Sequence, residues 1–335
     1  MPKYPKVNYI GNKEKLVDWI INEMPVKNGT VLDLFAGGGS VSYALKNAGY
    51  KVISNDILYA DFVIAKSFIE NDEGCILPSV FDVNVDNVSI ELKRQKIDFL
   101  ADRLYYPNEV DELARLITIS ELLNDKDKYL FLALLRRAMI RKLPYSRMNV
   151  PWNQIQLLRD EEYSYQKYKR RRAYHNQSFK SHMLSDLDDY NATPFKAQKC
   201  FAYQKDALVL ADEIEPVDVV YLDPPYPSTM NNYDLFYGMY DMMFDMKCEH
   251  TDFTNPLTFL SNLEMLISKL KKKTKYIVIS QNTRVKPEPI VLEEMLKRYG
   301  LVSIKERKHN YQVTGKENKN LNRELLFVLE FEQEE

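Results

Sequence analysis

The stretch that decides the fold is Thr30-Val31-Leu32-Asp33-Leu34-Phe35-Ala36-Gly37-Gly38-Gly39-Ser40. Val31 to Phe35 is short and almost wholly apolar, the pattern of a buried parallel strand, and the glycines that follow permit a tight turn. Ser40 to Gly49 then reads as a helix. Val41, Ala44, Leu45 and Ala48 recur at three- and four-residue steps and form one apolar stripe, and Gly49 supplies a stop. Lys51 to Ser54 is a second strand, closed by Asn55-Asp56. Strand, helix and strand within about 25 residues make a right-handed crossover, so the chain opens as a doubly wound α/β sheet.

Further strands are expected late, at Lys199 to Tyr203, Val217 to Leu222, Tyr276 to Ser280, Leu301 to Lys305 and Glu324 to Phe331. The last two, joined by a polar loop that includes Asn318 to Asn322, read as an antiparallel pair. From about Asp61 to Ala197 the periodicity turns helical, with one helix over Leu113 to Leu123 and another over Tyr129 to Met139. The expected organisation is a catalytic domain over 1–65 and 195–335, interrupted by a mainly helical insert over 66–194. The segment Pro227 to Thr251, with Asn231, Asn232, Tyr233, Phe236, Tyr237 and the methionines Met239, Met242 and Met243, has two readings: a loop that closes over a ligand, or a helix packed in a core.

A chain of 335 residues with 45% hydrophobic content is long enough for one large sheet domain and a smaller satellite, which excludes disorder as its main state. The net charge of -2 identifies no partner, but its distribution is uneven. Between Arg136 and Lys180 twelve basic residues face three acids, so this segment carries +9 while the remainder carries about -11. Cys75, Cys200 and Cys248 lie far apart and no histidine cluster is near them, which suggests neither disulfides nor a metal site. The start Met1-Pro2-Lys3-Tyr4-Pro5 has no apolar core of a leader, and no apolar run approaches the ~18 residues needed to span a bilayer, so a cytoplasmic protein is expected.

Glycines between a strand and a helix let backbone approach a ligand closely. A dinucleotide is one candidate, but the third glycine of its G-x-G-x-x-G fingerprint is Ser42 here, and a purely structural turn is the other reading. Asp56, ending the second strand 23 positions after Asp33, is suited to accept hydrogen bonds from ribose hydroxyls, or else to cap a helix.

After Val219-Val220-Tyr221-Leu222 the strand stops at Asp223-Pro224-Pro225-Tyr226. Two prolines cannot continue a sheet and instead lock a rigid corner at the strand's carboxyl end, where open α/β sheets bind ligands. The corner suits one difficult reaction. An exocyclic aromatic amine is a poor nucleophile because its lone pair is delocalised into the ring. Two acceptors gripping its two protons, the Asp223 carboxylate and the Pro224 carbonyl, would draw the nitrogen towards a tetrahedral form, with Tyr226 stacked on the base.

Taken together, these motifs resemble the alpha group of N6-adenine DNA methyltransferases, the Dam-like class. Their order is the same: a Phe-x-Gly-x-Gly turn (Phe35, Gly37, Gly39), an insert, then Asp-Pro-Pro-Tyr. Tyr9-Ile10-Gly11-Asn12-Lys13 resembles the family's opening segment beside the cofactor's methionine end, which implies Tyr9, Gly11, Asn12 and especially Lys13 as contacts. The resemblance implies a class I methyltransferase fold and S-adenosylmethionine as cofactor, held also by Asp33, Asp56, Asp223 and, near its adenine, Asp206. Ser280-Gln281-Asn282 resembles an element lining the target pocket. Asn149-Val150-Pro151 resembles a short signature near the recognition element.

A base inside a duplex cannot reach such a corner, so the enzyme must extrude it, and contacts elsewhere must offset the unstacking. The expected DNA contacts are Arg136, Arg137, Arg141, Lys142, Arg147, Asn149, Lys169, Arg170, Arg171 and Arg172, interleaved with Tyr145, Tyr163, Tyr165, Tyr168 and Tyr174. A solvated charged face is the alternative. The resemblance further implies double-stranded DNA as partner, a monomer without metal, and a bacterial or phage restriction-modification setting with a cognate endonuclease that forms no stable complex. Three rival readings remain: transfer to N4 of cytosine, where serine more often stands in place of Asp223; a noncatalytic DNA-binding subunit, in which the tetrapeptide is usually degraded; and a nicotinamide-dependent oxidoreductase.

Overall fold

The computed structural model describes residues 2–227, 232–308 and 322–332. It resolves into two compact units. One gathers Met1–Gly11, Leu58–Lys196 and Tyr233–Lys247; the other gathers Asn12–Ile57, Ala197–Asn232 and Cys248–Glu335.

The second unit is built on one sheet of seven strands: β1 (Thr30–Asp33), β2 (Lys51–Asn55), β3 (Phe201–Tyr203), β4 (Val217–Leu222), β5 (Thr274–Asn282), β6 (Gly300–Lys308) and β7 (Arg323–Phe331). Their spatial order is β3-β2-β1-β4-β5-β7-β6. The first five are parallel, and β7 inserts antiparallel between β5 and β6. The expected doubly wound, mostly parallel sheet with an antiparallel C-terminal pair is therefore present. Buried on both faces, β4 and β5 read as runs of Val, Ile and Tyr, with Val219, Val220, Ile277, Val278 and Ile279 fully buried.

The strand order fixes where a ligand can sit. β1 lies between β2 and β4, so the connections leaving it run in opposite directions, and the crevice at that switch point opens at the strands' carboxyl ends. Asp33 is in register with Tyr221, which brings the glycine turn after β1 beside the proline corner after β4.

The first unit is helical. Pro107–Ser120 and Asp125–Arg141 correspond to the two expected helices, and Phe179–Asn191 packs along the second. Met1–Gly11 and Tyr233–Lys247 join this unit, whereas the sequence pattern assigns them to the catalytic domain. Tyr233–Phe244 is a helix rather than a closing loop. It buries Phe236, Tyr237, Tyr240 and Met243, and its buried Asp241 accepts from the Tyr59 and Ala60 amides at 2.8 and 3.0 Å. Of its methionines Met242 is exposed and Met239 partly so. Asn231 and residues 318–321 lie outside the described residues. No helix among the described residues is long and apolar enough to cross a membrane.

Candidate active site

The glycine turn has the backbone its composition requires. Gly37 and Gly39 take φ of 50° and 76°, in the left-handed region, and Gly39 is the N-cap of the helix Ser40–Asn47. The Asp56 carboxylate accepts from the Gly37 amide at 2.8 Å and so holds the turn against the end of β2. Asn55, wholly buried, donates to the Leu34 and Lys205 carbonyls and accepts from the Lys205 amide, which ties β1 to the segment after β3.

Ser42, the residue that breaks the dinucleotide fingerprint, has a specific task. Its hydroxyl lies 2.7 Å from Asp33 Oδ2 and 3.0 Å from the Ser54 hydroxyl. Asp33 is buried and its Oδ1 has no hydrogen-bond partner. Burial pushes this carboxyl up to about 7, opposed by the Ser42 hydrogen bond and reinforced by the charges of Asp223 and Asp56. A glycine at position 42 would leave a buried acid without its donor.

At the proline corner, Lys13 Nζ lies 2.8 Å from Asp223 Oδ2 and 3.1 Å from Oδ1. The same ammonium is 3.3 Å from Oε1 of the fully buried Glu324 on β7. Burial raises the Asp223 carboxyl above its ordinary value; Lys13 opposes this and Glu324 adds to it. Lys13, expected beside the cofactor, is thus engaged by the corner acid. Tyr226 is only 6% exposed, its hydroxyl donates to the Ser280 carbonyl at 2.6 Å, and its ring packs on Phe259 at 5.4 Å. In this conformation it is a pillar of the corner. Pro224 is buried and Pro225 partly so.

An aromatic chain joins the two motifs. Phe35 meets Phe253 edge-on at 5.1 Å, Phe253 meets Phe259 at 6.3 Å, and Phe259 meets Tyr226. The other expected cofactor contacts are placed as follows. Asn12 Oδ1 accepts from the Glu14 amide. Asp206 caps the helix Ala207–Glu213: its Oδ1 accepts from the Leu208 and Val209 amides and its Oδ2 from the Thr251 amide, so backbone occupies both oxygens. Tyr9 and Gly11 fall in the helical unit, where Tyr9 stacks on Tyr237 and donates to Asp61 at 3.0 Å. In Ser280-Gln281-Asn282, expected to line the target pocket, Gln281 Oε1 and Asn282 Nδ2 are buried without a partner.

A family model described as D12 class N6 adenine-specific DNA methyltransferase matches residues 9–310. The chain belongs to this family. It is 42% identical over 339 residues, spanning 98% of each chain, to the Type II methyltransferase M2.HphI of Haemophilus parahaemolyticus. It is also 38% identical over 71 residues, 19% of this chain and 21% of that protein, to the Type II methyltransferase M.NlaIII of Neisseria lactamica. The protein is an adenine-specific DNA methyltransferase with the α/β fold of that class, which removes the nicotinamide reading.

The methyltransferase's helical unit carries the basic segment, and burial divides it. Arg136 is 1% exposed, close to the Val7 carbonyl and Asp61 and 4.9 Å above the Tyr237 ring. Lys142 is fully buried, 2.7 Å from Glu109, which also takes both amino groups of Arg159. Arg137 is buried between Asp186 and Asn8. Of these three, all expected at the DNA, Arg136 and Lys142 are interior side chains, whereas Arg137, though buried, also lines the cavity that Arg141 borders. Each meets an acid inside the fold, with Asp186 shared by Arg137 and Arg141 and Glu109 by Lys142 and Arg159. The exposed set is different: Lys169, Arg170, Arg171 and Asn149 are open to solvent, and Arg141, Arg147 and Arg172 partly so. Arg141 and Arg170 to Arg172 line a cavity of about 780 Å³ together with Tyr145 and Tyr174. Four non-glycine residues at or beside it, Tyr145, Ser146, Lys169 and Arg172, hold φ near +60°, a strained backbone that clusters at functional surfaces.

Glu324, Ser42, Asn55 and Phe253 escape a reading of the sequence. Only Glu324 carries a signal there: a lone acid beside Leu325, Leu326 and Phe327 in a strand that reads as buried.

Proposed function

We propose that this methyltransferase uses Asp223 and the Pro224 carbonyl to grip the amino group of an adenine rotated out of double-stranded DNA, within a bacterial or phage restriction-modification system, in the cytoplasm. The observation that carries this reading is the adjacency of β1 and β4, which sets the glycine turn next to the acid of the proline corner. The two acceptors hydrogen-bond to the two N6 protons, which stay on the nitrogen, and draw its lone pair out of conjugation towards the methyl group. Methylation leaves the nitrogen with an excess proton, and Asp223 is the nearest carboxylate to receive it or pass it to water. Tyr226, through Ser280, fixes the corner's geometry.

The methyl donor proposed is S-adenosylmethionine, which supplies a methyl group on a sulfonium. The residues suit it. The buried Asp33 oxygen without a partner, and the mutual repulsion of Asp33, Asp56 and Asp223, fit a ligand bearing positive charge. The turn at Gly37 and Gly39 gives close backbone approach, and Asp56 would face its ribose. The second unit is proposed as the catalytic domain and the helical unit as the recognition domain, with Arg141, Arg147, Asn149, Lys169 and Arg170 to Arg172 towards DNA. The chain is proposed to act as a monomer, without a stable complex with its endonuclease.

Methylated duplex digested to nucleosides tests the reading. N6-methyldeoxyadenosine is expected, and Asp223→Asn should cut its formation by about 10³-fold or more while cofactor still binds. N4-methyldeoxycytidine as the product, or near-normal turnover in that variant, refutes it.

A further inference from the structure

Glu324 is a wholly buried acid that touches the corner's machinery without belonging to it. Its Oε1 accepts from the Ser280 hydroxyl at 2.9 Å and lies 3.3 Å from Lys13 Nζ. Ser280 works in two directions, because its carbonyl accepts from Tyr226. Lys13 in turn meets both oxygens of Asp223. Asp223 and Tyr226 are the ends of one tetrapeptide, so the contacts close a ring: Asp223, Lys13, Glu324, Ser280, Tyr226. Burying a carboxylate in a sheet is costly, and an apolar side chain would hold β7 against β5 as well or better. The sheet does not need this acid, but Lys13 does.

We propose that Glu324 is a positioning residue, which shares the Lys13 ammonium with Asp223 so that the catalytic carboxylate keeps lone pairs open to the target amino group. The inference rests on Asp223 being the acceptor of the proposed function. Without Lys13, Asp223 would stand among Asp33 on β1, Tyr221 on β4 and Glu324 on β7, surroundings that favour its protonated form. With Lys13 bound to Asp223 alone, the ammonium would compete with the adenine amino protons for the same oxygens. Glu324 gives the ammonium a second seat when the amino group arrives. The signs are definite. Removing the Glu324 charge takes away a repulsion that raises the Asp223 carboxyl, and leaves Lys13 wholly to Asp223, which lowers it further.

Single-turnover methylation over pH 5 to 9 tests this with Glu324→Gln, on the full chain with duplex DNA and saturating S-adenosylmethionine. The acid limb of the rate is expected to move down by about half a pH unit or more, and the plateau rate to fall about tenfold. The KM values for both substrates should stay within about twofold. A purely structural role would lower stability or binding without moving the limb. If the Gln variant does not fold, Glu324→Asp draws the carboxylate back by one methylene, and a smaller shift in the same direction is expected. An unmoved limb in whichever variant folds, with Asp223→Asn inactive, overturns this inference alone; turnover retained in Asp223→Asn would overturn the reading beneath it.

Discussion

Asp33→Asn gives the sharpest test of the electrostatics at the glycine turn. The Asp33 carboxyl stands at about 7 against an ordinary value of 3.8, mainly through burial. A group whose value is raised on folding stabilises fully below its unfolded value and loses that contribution as pH rises through the folded one. Its contribution is therefore intact below about pH 4 and is lost by just above pH 7. At about 1.4 kcal/mol per pH unit, the gap amounts to about 4 kcal/mol, of which about 2 to 3 kcal/mol falls between pH 5 and pH 8. Asparagine keeps an acceptor for Ser42 but does not ionise. Urea unfolding of both proteins at pH 5, 6, 7 and 8 should show the variant gaining on the wild type by about 2 to 3 kcal/mol across that range. A difference that stays flat with pH would mean that Asp33 is not held in its neutral form, and the charge argument for a cationic ligand would lose its footing.

Three further outcomes are expected. Arg136→Met should destabilise the helical unit by about 3–5 kcal/mol in denaturant melts, because it strips the buried Asp61 of its cation; the salt slope of DNA binding should not change, and a stability loss under about 1 kcal/mol would show the pair to be dispensable. Replacing Arg170, Arg171 and Arg172 together by alanine should weaken duplex binding and flatten log Kd against log salt by about 0.9 for each phosphate no longer neutralised; an unaltered slope would locate the DNA on another surface. Phe253→Ala should cost about 3–5 kcal/mol in thermal or urea unfolding, because it removes the middle of the chain from Phe35 to Tyr226, and a near-neutral effect would show that the two motifs do not lean on one another.

Periodic and local features are legible in the chain itself. Val31 to Phe35, Val217 to Leu222 and the C-terminal pair show their burial in their own composition, and proline after Asp223 announces the end of β4. Charge is legible in sum but not in place. Arg136, Arg137 and Lys142 look like the other basic residues of their segment, yet Asp61, Asp186 and Glu109 come from elsewhere in the chain to pair with them inside the fold. The anchoring of Tyr226 is hidden for a related reason: its hydroxyl finds the Ser280 carbonyl, a partner 54 positions away that no local pattern encodes. Of the two readings open for the segment after Pro227, Tyr233–Phe244 takes the packed helix, because Phe236, Tyr237, Tyr240 and Met243 fall on one buried face.

The sheet order explains how a long helical segment can be inserted between the two strands that carry the glycine turn and the proline corner. The helical stretch Leu58–Lys196 enters the chain between β2 and β3, whereas the chemistry depends on β1 and β4. Those two strands are direct neighbours, and their register sets Asp33 against Tyr221 whatever the chain does in the interval. Asn55 and Asp56 fasten the glycine turn from the β2 side before the insertion begins. A change in the length or sequence of the insert therefore leaves the distance from the glycine turn to Asp223 fixed by ladder hydrogen bonds. On the proposed reading, target choice can therefore vary in the helical unit without disturbing the grip on the amino group, and a substitution that shifts β1 against β4 by one residue is expected to turn Asp33 to the other face of the sheet and end activity on every sequence alike.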